Sequence, residues 1–132
     1  MTRPDASHKP VLTALATVLL LWPGLAGAAW IEGEHARLQA LDKITARIST
    51  LSAPIGKQIS FGTLGVTVQR CAFHPPEEPP EDAAFLEVVD RGHDPSQAPK
   101  AVFSGWMFSS SPAVSALEHP VYDITLLSCK PD

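Results

Sequence analysis

Ser104, Ser109, Ser110, Ser111, His119 and Asp123 lie close together in the sequence and are the residue types of an acyl-transfer triad. No G-x-S-x-G surrounds any of these serines and no backbone nest for an oxyanion is indicated, so a small hydrolase is the least favoured reading. The plainer account of Glu118-His119-Pro120 is a helix end, with His119 set against the terminal carbonyls. Glu77, Glu78, Glu81 and Asp82 supply oxygen atoms for a hard cation such as Ca²⁺. The prolines among them splay neighbouring carboxylates apart, and no glycine provides the tight turn of a calcium loop. His74, His93 and His119 have no paired spacing of the H-x-x-x-H kind, so a zinc site is not expected. Carboxylates for glycoside hydrolysis are numerous, but without a groove they indicate nothing. No catalytic residue, metal ligand or cofactor is therefore assigned.

The compartment is more legible. Arg3, His8 and Lys9 make a basic start, Val11 to Trp22 is apolar, Pro23-Gly24 breaks the run, and small residues follow up to Ala29. This order is that of a secretory signal peptide over residues 1–28, with Ala26-Gly27-Ala28 as the cleavage motif and Ala29 as the first mature residue. An uncleaved anchor is the rival, because residues 11–30 hold no charge and a spanning helix needs about 20 apolar positions. No Cys adjoins the cut, so a lipoprotein form is not expected. Both readings place the rest of the chain in the periplasm, with the membrane reached only through a partner or the anchor.

Removing residues 1–28 leaves 104 of 132, enough for one small domain. Arg3, Lys9 and Asp5 go with that segment, leaving 8 basic and 13 acidic side chains, a net of −5 against −4 for the whole chain. Such a surface is a poor match for nucleic acid or anionic lipid, whose binding rests on Lys and Arg. Cys71 and Cys129, the two cysteines of the chain, form no C-x-x-C and have no flanking His. In an oxidising compartment they read as one structural disulfide. The alternative is a redox pair.

Along the chain, residues 29–42 read as an N-terminal arm or linker and residues 43–132 as a single β domain. Ile44, Ala46 and Ile48 alternate with polar residues as in a strand. Further strands are expected at Gln58 to Phe61 and from Leu64, with Leu64, Val66 and Val68 on one face and Thr67, Gln69 and Cys71 on the other. Pro75-Pro76-Glu77-Glu78-Pro79-Pro80-Glu81-Asp82 is a stiff acidic loop, since paired prolines cannot join a central sheet. Strands resume at Phe85 to Asp90 and Ala101 to Phe108. The second is apolar on both faces, which predicts a central or doubly covered strand with Trp106 in the core. A stacking platform at Trp106 is the alternative. Ser111 as N-cap and Pro112 at the first position predict a short helix over 113–118, and Val121 to Cys129 is the last strand, with Tyr122, Ile124 and Leu126 on one face. The fold expected is a small antiparallel β-sandwich or barrel with one short helix and one disulfide.

Four segments in this order, Ala40-Leu41-Asp42-Lys43, Pro75 to Glu81, Phe103-Ser104-Gly105-Trp106-Met107-Phe108 and Leu117-Glu118-His119-Pro120-Val121-Tyr122-Asp123, resemble the exported alphaproteobacterial family catalogued as domain of unknown function 2155. Cys71-Ala72-Phe73-His74 departs from the more basic stretch expected before the proline loop. The family has no assigned reaction, so no catalytic residue carries over. Its genes tend to neighbour one for an accessory subunit of respiratory NADH dehydrogenase, which implies a periplasmic accessory role at an inner-membrane complex. Residues and resemblance together point to a non-enzymatic accessory or scaffolding protein that contacts an envelope protein complex through Pro75, Pro76, Glu77, Glu78, Pro79, Pro80, Glu81 and Trp106. A glycan- or peptidoglycan-binding module using Trp106 or Trp30 is the alternative.

Overall fold

The computed structural model describes residues 2–4, 29–114 and 116–132, and the expected signal segment up to Ala28 lies outside them except for residues 2–4. Among the described residues nine strands form two antiparallel sheets: β1 (Ile31–Glu32), β2 (His35–Asp42), β3 (Arg47–Pro54), β4 (Gln58–Phe61), β5 (Leu64–Phe73), β6 (Asp82–Asp90), β7 (Lys100–Phe108), β8 (Leu117–Glu118) and β9 (Tyr122–Lys130). One sheet runs β1-β5-β6-β7, with β4 also paired to β5, and the other runs β3-β2-β9-β8. The inner faces share one core that includes Leu38, Leu64, Val66, Leu86, Met107 and Ile124. Burial of each such side chain contributes about 1.5–3 kcal/mol, so this core is the main source of stability.

The expected arm is part of that core. Ala36, Leu38 and Ala40 point inward while His35, Arg37 and Gln39 do not, and β2 is the central strand between β3 and β9. The period of two was present, but alanine is a weak marker of an inner face. The strand expected around Ile44 is instead a hairpin turn over residues 43–46. Asp42 Oδ1 accepts the N–H groups of Ile44 (2.9 Å) and Thr45 (3.1 Å), and Ala46 turns left-handed at φ 56°. Ile44 and Ile48 consequently stay exposed.

Among the described residues there is no helix. Pro112 to Val114 make a single turn closed by Val114 N–H to Ser111 O (3.1 Å), after which Leu117 is drawn into the core as β8 pairs with β9. Burying Leu117 opposite Ile124 replaces the further turn that the capping pattern would have supported. β7 also departs from expectation. It is an edge strand, and only its inner face, with Met107 buried and Phe103 packed against the core, is covered. Trp106 points outward at 44% exposure because no layer among the described residues lies on that side of the sheet.

Cys71 and Cys129 are joined, as expected, with Cα atoms 5.8 Å apart. Strict alternation would leave Cys71 on the outer face with Gln69. The register between β5 and β6 slips between Val68 and Arg70, and that between β2 and β9 slips between Arg37 and Leu38, opposite Leu126 and Ser128. Each slip shifts the strand's phase by one residue, so both cysteines turn inward after Val68 and Leu126 have already done so. Gly33 passes directly over the bond, where a Cβ would overlap both sulfurs.

The bond closes a separation of 58 residues, for which the chain-entropy argument gives an upper stabilisation of about 4 kcal/mol. The Cys71→Ala/Cys129→Ala variant should lose about 2–4 kcal/mol in denaturant unfolding. A loss below about 1 kcal/mol would show that the two sheets hold together without it.

Candidate functional site

The slip in β5 that turns Cys71 inward also turns Arg70 and Ala72 outward. Across the sheet the register aligns Glu32, Ala72, Ala83 and Phe108 in one outer row, and Arg70, Phe85 and Trp106 in the next. Two alanines in the middle leave a depression, and larger groups stand around it. Trp30, Glu32, Arg70, Trp106 and Phe108 surround the alanine floor of a cleft of about 360 Å³. Trp106 is braced edge-on by Phe85, with centroids 5.5 Å apart and planes at 71°. The charged lining groups, Arg70 and Glu32, pair with each other, so the cleft offers mainly apolar surface.

The proline-glutamate loop adjoins this cleft. His74 closes its base, its N–H donating to Glu81 O (3.0 Å) and its Nδ1–H to Pro79 O (2.7 Å). Glu78 N–H donates to Pro75 O at 3.1 Å. The His74 ring also meets the Trp30 indole, centroids 4.1 Å apart, which links the loop to one wall of the cleft.

Glu81, expected among the partner-contacting residues, is tied to the serines that follow β7. It is half-buried and accepts hydrogen bonds from the Ser110 hydroxyl, the Ser110 N–H (3.1 Å), the Ser109 hydroxyl (3.2 Å) and the Asp82 N–H (3.1 Å). Burial opposes its charge, but these bonds outweigh it and hold its carboxyl below the usual range. Asp82 is likewise internal, its Oδ1 accepting from Cys129 N–H at 2.8 Å. The acidic run thus divides into two anchors, Glu81 and Asp82, a half-buried Glu78 beside His74, and an exposed Glu77. Among the described residues no three His, Cys, Asp or Glu side chains converge on a point that could hold a metal ion.

His119 is paired with Asp90, not with Asp123. Its Nε2–H donates to Asp90 Oδ2 at 2.9 Å, its Nδ1 accepts from Val121 N–H at 3.1 Å, and its ring stacks on Tyr122. These contacts define the tautomer and leave neither nitrogen for a serine hydroxyl. Asp123 instead meets Lys43 Nζ at 2.8 Å. Asp90 also accepts from Gly92 N–H (2.9 Å) and the Thr63 side chain, and these bonds with His119 hold its carboxyl low. The arrangement ties the end of β6 to the turn between β8 and β9.

The family described as "Uncharacterized protein conserved in bacteria (DUF2155)" matches residues 36–129, and the chain belongs to it. The match runs from β2 to Cys129 and takes in the proline loop, both cysteines and Trp106, while Trp30 precedes it. "Uncharacterized protein RP359" of Rickettsia prowazekii (strain Madrid E) is 28% identical over 95 residues, which are 72% of this chain and 60% of that protein. The chain thus spans about 60% of the length of this curated relative. No solved structure matches.

Glu81 has a folded-state pKa below its ordinary 4.5, so its bonds add stability that is complete above that pH and is lost as pH falls through the lowered value. Asp90, also lowered, acts in the same direction. Glu81→Gln should be about 1 kcal/mol less stable at neutral pH and should lose less on acidification than the unmodified protein. Parallel stability-versus-pH curves from thermal unfolding would contradict this role for Glu81.

Proposed function

We propose that this member of the family is an exported, non-enzymatic accessory domain that binds a protein of the cell envelope. The single observation that carries the reading is the continuity of the aromatic cleft with the proline-glutamate loop through the Trp30–His74 contact. Exposed indole and phenyl groups on an uncovered sheet face are unusual in a free-standing domain and are typical of the centre of a protein interface. The alanine floor admits an extended segment bearing proline or aliphatic side chains between Trp30 and Trp106. The loop, held at its base by His74 and Glu81, presents Pro76, Glu77, Pro79 and Pro80 with little ordering left to do on contact. An inner-membrane complex, respiratory NADH dehydrogenase included, is the partner suggested by the gene neighbourhood that the resemblance carries.

A glycan is the second reading. Two indoles beside the Glu32–Arg70 pair would suit a pyranose ring, which combines an apolar face with planar hydrogen-bonding edges. The engaged nitrogens of His119 give a hydrolase no comparable support.

Affinity purification from gently solubilised envelope should recover a defined protein complex in stoichiometric amount. Trp106→Ala should weaken that association about tenfold or more, with unchanged circular dichroism, as removal of a central aromatic does. Replacement of Pro75, Pro76, Pro79 and Pro80 by alanine should weaken it less, through added flexibility. Sedimentation with purified cell wall that Trp106→Ala abolishes would favour the glycan reading, and unchanged association in both variants would remove the protein reading.

A further inference from the structure

Ala29 and Trp30 follow directly on the apolar segment of the sequence, and both already touch the loop. Ala29 N–H is directed at Glu78 Oε1 at 3.4 Å, and the Trp30 ring lies against His74. His74 Nδ1 in turn stands 3.8 Å from Glu78 Oε2 and is held by Pro79 O. The strand that carries Trp30 into the sheet pairs over two residues only, Ile31 opposite Phe73 and Glu32 opposite Ala72. Besides this short pairing, the His74 ring holds Trp30 as a wall of the cleft, and a contact at Ala29 on its N-terminal side would hold it further.

We infer that cleavage of the Ala28–Ala29 peptide bond creates an α-ammonium that binds Glu78 and fixes Trp30 as a wall of the aromatic cleft. The step is a hydrolysis by an endopeptidase of the class that removes export segments. The C–N bond breaks, the oxygen of one water joins the Ala28 carbonyl carbon to give a carboxylate, and both protons of that water end on the Ala29 nitrogen to give the ammonium. No electrons are transferred. Ala26 and Ala28 are the small residues such an enzyme accepts.

Before cleavage Ala29 offers one neutral N–H to Glu78 at the long limit of a hydrogen bond. Afterwards the same atom carries three N–H groups and, with an ordinary α-amino pKa of about 7.7–8.0, a positive charge at neutral pH. A charge-assisted bond is roughly twice as strong as a neutral one. Glu78 sits on a loop already ordered by Pro75 and His74, so the carboxylate needs little further fixing. The link to partner binding rests on the function proposed above, whereas the latch itself is read without a partner.

The test begins with the full chain expressed in a bacterium under its own N-terminal segment and purified from the envelope fraction. N-terminal sequencing and intact mass should give a chain beginning at Ala29. Acylation of its α-amine by an N-hydroxysuccinimide ester at pH 7, followed on the N-terminal peptide, should be about two- to threefold slower than in Glu78→Gln, because an ion pair keeps the amine protonated. The indole N–H resonance of Trp30 should shift in Glu78→Gln and stay in place in the neighbouring Glu77→Gln. An N-terminus elsewhere, equal acylation rates, or a Trp30 resonance that ignores Glu78→Gln would overturn the inference. Since none of these readings uses a partner, a failed latch and a failed binding function are separately visible.

Discussion

The bond between Cys71 and Cys129 ties β5, an inner strand of one sheet, to β9, one of the two inner strands of the other, and the rest of the molecule is phased around it. β5 belongs to the five-stranded sheet and β9 to the four-stranded one, so the link crosses the core. Each strand reaches it through a register slip that reverses which face its later residues present. In β5 the same slip sends Arg70 and Ala72 to the outer surface, so cleft and disulfide share one local cause. Asp82 adds a second tie between the sheets, from the start of β6 to the Cys129 N–H.

The cleft owes its shape to a contrast of size. Ala72 and Ala83 are directly opposite each other, while Phe108 and Trp106 on the edge strand and Trp30 on the far side are large. Nothing among the described residues covers this face, and the edge position of β7 keeps it open. The loop beside it is stiff for two reasons: its prolines restrict the backbone, and Glu81 anchors its far end to Ser109 and Ser110. The anchoring carboxylate must stay charged to accept four donors, so loop geometry and charge are one property.

Much of the architecture was legible because it follows from local rules. Alternation at Leu64, Val66 and Val68 and at Ile124 and Leu126 identified inner faces, paired prolines marked the loop, and an even pair of cysteines read as a disulfide. Other features misled for equally physical reasons. Ala36 and Ala40 are too small to announce a core strand, and the alternation at Ile44 and Ile48 was broken by an Asx turn at Asp42. The serine and proline that favour a helix after β7 were overruled by burial of Leu117.

The amino-acid sequence alone determined the β class, the disulfide pair and the position of the proline loop, since these depend on composition, period and backbone chemistry within a few residues. Tertiary structure decided which aromatic groups are exposed, because that depends on what lies across the sheet. It placed Trp106 on an open edge, paired His119 with Asp90, turned Glu81 inward and brought Trp30 to the loop. The last three are meetings of segments far apart in the chain, and the register slips that turn both cysteines inward have no local sequence signature.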